Sequence, residues 1–131
     1  MAEVLRGGCA CGRIRYEVGA APAFSLLCKC RQCQRISGSG HSAQFAALAA
    51  STRIHGELRY HDYTADSGNL VSSGFCPTCG NPVLKKPAGY PQFVFIHAAT
   101  LDEPQAYRPQ MVVFSQNGQS WDHVDPALPL R

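Results

Sequence analysis

A mainly β fold of short antiparallel strands is predicted by three features of this sequence. Ile14, Tyr16 and Val18 alternate with Arg13, Arg15 and Glu17, the period-two pattern of a strand with one buried face. Further short β-rich runs recur along the chain, separated by turns that nine prolines and twelve glycines supply. Helical signals are confined to one short segment.

The elements follow in order. After the strand at 13–18 come strand candidates at 24–28, 43–48, 58–63 and 70–75. The run at 93–96 is apolar and β-rich, and Pro91 and the turn-prone segment after Thr100 bound it. The run at 111–114 reads the same way after Pro109. Residues 31–37 can form one or two helical turns, with Gly38 placed to cap their C-terminal end. Residues 46–50 are alanine-rich, but Phe45 precedes them and Ser51 and Thr52 follow, so they read as strand running into loop.

A chain of 131 residues fits one domain, residues 1–131, and no repeat, low-complexity tract or long linker divides it. Folding at this length buries roughly two-thirds of the unfolded surface. The apolar fraction of 45% and charged fraction of 16% describe an ordinary globular protein. A net charge of +3, with the basic residues scattered, argues against a nucleic-acid surface. No apolar run approaches the ~20 residues of a membrane span. The first residues lack the pattern of a secretory signal, so a cytoplasmic location is expected.

The seven cysteines depart from the ordinary. A reducing compartment disfavours disulfides, and an odd number cannot pair completely. None stands alone: they form the groups Cys9 and Cys11; Cys28, Cys30 and Cys33; Cys76 and Cys79. Metal binding explains this clustering better than small buried hydrophobes do.

Cys76-Pro77-Thr78-Cys79-Gly80 is a C-x-x-C turn that supplies half of a tetrahedral zinc shell. Its glycine can take φ > 0, turning backbone N–H groups toward the thiolates. Gly8-Cys9-Ala10-Cys11-Gly12 offers the other half. Four thiolates make a saturated, structural zinc site. Such sites contribute ~10–16 kcal/mol, against a typical domain stability of ~5–15 kcal/mol. The fold is therefore expected to depend on this metal. A redox dithiol is the competing reading, and it wants a βαβ context that is absent.

Cys28, Cys30 and Cys33 offer three sulfurs within six residues, and no histidine lies at ligand spacing to them. Three protein ligands with an open fourth position is the arrangement of catalytic zinc. Alternatively a histidine closes the shell, His41 being nearest in sequence. Lys29, Arg31 and Arg35 crowd the group, and nearby positive charge favours thiolates.

Together these segments resemble the glutathione-dependent formaldehyde-activating enzyme family, whose domain is shared with the centromere protein V group. The matching residues are Gly8 to Gly12, Arg15-Tyr16, Cys28 to Cys33 with Gly38, Gly74 to Gly80, Leu101-Asp102-Glu103-Pro104, Trp121 and Leu128-Pro129. Lys29 stands where the family usually has His, Ser72 and Ser73 where a basic pair often occurs, and Met111 near a common His. The resemblance implies an Mss4-like (β-tent) arrangement of small sheets. It implies a structural zinc on Cys9, Cys11, Cys76 and Cys79 and a labile catalytic zinc on Cys28, Cys30 and Cys33. The implied activity is condensation of glutathione with formaldehyde to S-hydroxymethylglutathione, a carbon–sulfur lyase reaction in reverse.

A small-molecule thiol such as glutathione is thus the expected partner, with neither nucleic acid nor membrane. His41 and His97 are the histidines available for proton transfer. A zinc-stabilised binding module without chemistry is the alternative.

Overall fold

A computed structural model describes residues 4–131. Within these residues ten strands make two sheets, joined by one α-helix and short 3-10 turns. β1 (Leu5–Gly8), β2 (Arg15–Val18) and β5 (Thr52–His55) make a three-stranded antiparallel sheet in the order β1-β2-β5. The larger sheet holds β3 (Phe24–Cys28), β4 (Ser42–Leu48), β6 (Arg59–Thr64), β7 (Leu70–Phe75), β8 (Pro82–Pro87), β9 (Phe93–His97) and β10 (Val112–Val113). Its order is β10-β3-β4-β9-β8-β7-β6. All its pairs are antiparallel except β10 with β3, a two-residue parallel contact.

The alternation that predicts β2 has the expected cause. Ile14, Tyr16 and Val18 are each no more than 1% exposed, and they face a core that includes Phe45, Leu84 and Ile96. β4 is buried along most of its length because it is central, flanked by β3 and β9, and a 3-10 turn at Ala49–Ser51 ends it. The expected helical turns form α1 (Arg31–Ser37), and Gly38 caps them at φ 73° with its N–H bonded to the Gln34 carbonyl.

β1, β5 and β8 were absent from the sequence expectation. β1 ends in two glycines, and prolines sit at both ends of β8; both residue types weaken a strand signal. In β8, Pro82 and Pro87 occupy the strand termini, where the missing N–H is tolerated. The register of β7 on β8 shifts between Gly74 and Phe75, and such a bulge bends the chain. Here it lies immediately before Cys76.

The sheets meet where β1 crosses the segment after β9. Gly7 bridges Leu101, and the Tyr16 hydroxyl lies 2.7 Å from Thr100 Oγ1. A Cβ on Gly7 would collide with the Thr100 carbonyl and the Tyr16 hydroxyl. Arg15 pairs with Asp102 on the solvent side of this junction. Among the described residues, no helix is long and apolar enough to cross a membrane.

Gly7→Ala is expected to destabilise the metal-loaded protein by about 3 kcal/mol, the upper range for forcing a methyl into a packed site. Urea midpoints compared with wild type measure this; an unchanged midpoint would mean the two sheets do not press together at Gly7.

Candidate metal centres

The first cysteine group lies in the turn between β1 and β2, and the last in the turn between β7 and β8. These two turns are built alike. In the first, the Gly12 N–H bonds back to the Cys9 carbonyl at 3.1 Å and the Ile14 N–H donates to Cys9 Sγ at 3.2 Å. In the second, the Gly80 N–H bonds to the Cys76 carbonyl at 2.8 Å, and the Thr78 and Cys79 N–H groups donate to Cys76 Sγ. Gly12 and Gly80 have φ of 81° and 76°, the left-handed backbone that glycine adopts without strain. Ala10 N–H donates to Asn81 Oδ1 at 2.9 Å and clips one turn to the other.

The four sulfurs of Cys9, Cys11, Cys76 and Cys79 lie within 4.8 Å of one another. Zinc–sulfur bonds of ~2.3 Å in a tetrahedron would separate sulfurs by roughly 3.8 Å. The Cys9–Cys11 and Cys11–Cys76 sulfurs stand 3.6 and 3.7 Å apart, so this group fits a metal of zinc's size and softness. Burial alone would raise the Cys9 thiol, but the Ile14 N–H and the neighbouring sulfurs bring it down to about 6.

Cys28 ends β3, Cys30 is the N-cap of α1, and Cys33 lies in its first turn. The Cys33 N–H donates to Cys30 Sγ at 3.3 Å. These three sulfurs also lie within 4.8 Å of one another, and no histidine or carboxylate of the described residues joins them. Donors converge on Cys33: the Cys28 and Cys30 thiols first, then Lys85 and Gln44, and they hold it down at about 2 despite burial. Lys85 Nζ is 3.5 Å from this sulfur and Gln44 Nε2 is 3.3 Å away. Cys28 is pushed the opposite way, chiefly because its proton is given to Cys30 and Cys33.

The loop that carries the trio is anchored from behind by the C-terminal segment. Gln34 Nε2 donates to the Lys29 and Asn117 carbonyls at 2.8 and 3.0 Å, and Gln119 donates to Gln34 Oε1. Lys29 and His41 both reach the buried Asp122 carboxylate, at 3.7 and 2.9 Å. Lys29 thus serves to pin the loop, and the cation that acts on the sulfurs is Lys85. Arg31 bonds Gln34 Oε1 at 2.5 Å.

In front of the trio a cavity of about 460 Å³ opens. Cys28, Cys30, Arg31, Arg35, Tyr63 and Lys85 are among its lining. Neither His41 nor His97 lines it. His97 is half-buried, with Nδ1 3.1 Å from the Ser42 hydroxyl, and its buried Nε2 lacks a partner. Sequence reasoning did not find Lys85, Tyr63, Gln44 or Asp122. Lys85 comes from the proline-bounded strand, and Tyr63 is a half-buried residue in an otherwise exposed β6, a contrast that only the tertiary contacts reveal.

Burial, then the nearby Lys85 charge, pull His97 down to about 4 from 6.5. Between these values the unfolded chain binds a proton that the folded chain refuses, so stability falls as pH falls. The loss from this group between pH 7 and pH 5 is ~2 kcal/mol. His97→Gln is expected to remove that part of the slope, read from urea midpoints of the metal-loaded proteins at both pH values; equal slopes would mean that His97 titrates normally.

The family profile described as glutathione-dependent formaldehyde-activating enzyme matches residues 4–117. No curated protein matches the chain. Among solved structures, a Rhodobacter sphaeroides protein determined as a structural-genomics target is similar with a TM-score of 0.61 and 19% identity. The match covers 96% of this chain and 99% of that one, and at this identity it speaks for the fold alone. A profile match over most of the chain, on the segments that build both sulfur clusters, places the protein in the glutathione-dependent formaldehyde-activating enzyme family.

Proposed function

We propose that this protein is a zinc-dependent carbon–sulfur lyase acting on the thiol adduct of a small carbonyl compound, such as S-hydroxymethylglutathione. In this reading Cys9, Cys11, Cys76 and Cys79 hold a structural zinc, and Cys28, Cys30 and Cys33 hold a second, exchangeable one. The observation that carries it is the asymmetry of the two clusters. Four sulfurs complete one shell, whereas three sulfurs without a fourth protein ligand border a cavity large enough for a substrate.

Zinc with an open coordination position supplies Lewis acidity and keeps a ligand sulfur ionised at neutral pH. The chain's own residues supply the rest. Joining thiol and carbonyl forms one C–S bond and moves the thiol proton to the carbonyl oxygen; cleavage is the reverse. Lys85 Nζ, 3.5 Å from Cys33 Sγ, is placed to donate a hydrogen bond to that oxygen as charge develops on it. Tyr63 lines the same cavity, and its hydroxyl is kept protonated by burial, then by the charge of the three cysteines. Arg31 and Arg35 on α1 offer cations to the carboxylates of an acidic thiol. The alternating Lys85 and Leu84 of β8 divide its labour: Leu84 is fully buried in the core, and Lys85 faces the cavity.

Metal analysis and cobalt substitution test this reading together. Wild type is expected to carry two zinc ions per chain, and Cys30→Ala one, with the fold preserved in both. Millimolar glutathione should perturb the cobalt spectrum of the wild type and leave that of Cys30→Ala unmoved. Two saturated sites that ignore glutathione would instead favour a binding module in which both metals only hold loops.

A further inference from the structure

The cavity beside the three sulfurs is walled, next to the reacting atoms, by apolar and aromatic side chains. Phe24, Leu26, Val71, Phe95, Val113 and Phe114 all face this space. The apolar surface reaches the reacting atoms themselves: Leu26, Cys28 and Cys33 form one buried cluster, with Phe24, Cys30, Phe95 and Val113 packed against it. Phe24 and Phe95 meet edge to face at 5.8 Å. Lys85 Nζ lies 5.5 Å from the centre of the Phe95 ring, so the one cation beside Cys33 also borders the aromatic wall.

Phe114 adds an independent observation. It is the one described non-glycine residue with positive φ, at 54°, a conformation that is uncommon and costly for a bulky side chain. The strain sets Phe114 at the cavity and starts the 3-10 turn Ser115–Asn117. That turn presents the Asn117 carbonyl to Gln34. Strained residues of this kind cluster at functional sites. The carbonyl half of a formaldehyde adduct carries no apolar group to meet Phe24 and Phe95 beside the sulfurs.

Resting on the open-metal reading above, we propose that the substrate is the thiol adduct of an aldehyde bearing an aromatic or branched alkyl group. The reaction balance is unchanged. The aldehyde carbon bonds the thiol sulfur, its oxygen takes the thiol proton near Lys85, and the apolar group lies against Phe24 and Phe95. Each methylene placed in such a wall tightens binding about fourfold.

Simple thiols test this directly on the cobalt-loaded protein. Phenylmethanethiol and methanethiol reproduce the sulfur–carbon half of the benzaldehyde and formaldehyde adducts, lacking only the hydroxyl. Titrated by the thiolate–cobalt absorption, phenylmethanethiol should bind at least about tenfold tighter than methanethiol, with 2-methylpropanethiol between them. Phe95→Ala should shrink that preference while leaving methanethiol binding in place, and Phe24→Ala provides the same test should Phe95→Ala not fold. Equal affinities for the two small thiols would overturn the apolar substrate while leaving the open metal intact. A spectrum that no thiol alters would overturn the open-metal reading itself.

Discussion

The convergence of two glycine-ended cysteine turns on one point is the constraint from which the rest of the structure follows. Cys9 and Cys11 belong to the small sheet, Cys76 and Cys79 to the large one. Fixing them together closes a loop of more than half the chain, whose entropy must be offset by strong bonds. Metal–thiolate bonds are strong enough, and the local backbone is already shaped for them. Gly12 and Gly80 take left-handed φ, N–H groups aim at Cys9 and Cys76, and the Ala10–Asn81 hydrogen bond sets the turns face to face. The β-bulge at Gly74 and Phe75 lies immediately before Cys76, where the chain leaves β7 for the second turn.

The remainder of the large sheet carries the three-sulfur cluster. β3 delivers Cys28, α1 delivers Cys30 and Cys33, and β8 brings Lys85 across from the other side of β9. The C-terminal segment braces this arrangement from outside through Gln34 and through the buried Lys29–Asp122–His41 cluster. Gly40 is part of that brace, because any side chain there would strike Asp122. The contrast between the sites is therefore built in. One offers four sulfurs backed by backbone N–H groups, and the other offers three beside a largely apolar cavity.

Much of this was legible in the sequence because the signals are local. Three cysteine groups with fixed spacing, glycines beside them, and the alternation at Ile14, Tyr16 and Val18 each report on a few neighbouring residues. Gly38 announced the end of α1 for the same reason. What was hidden depends on residues distant in the chain. β8 begins and ends with proline and pairs with strands on both sides; nothing in 82–87 alone says that Lys85 will face Cys33. Lys29, Arg31 and Arg35 looked alike as cations beside thiols, yet Asp122, more than 80 residues away, takes Lys29. His41 and His97 drew attention as histidines, but one is bound to Asp122, the other meets Ser42, and neither lines the cavity.

Anomalous diffraction at the zinc edge from crystals of the metal-loaded protein tests the central claim most directly. The account predicts two peaks. One should be bonded to all four of Cys9, Cys11, Cys76 and Cys79, and the other to Cys28, Cys30 and Cys33 with its remaining position turned to the cavity. A single shared peak, or a side chain of this chain completing the second shell, would contradict it.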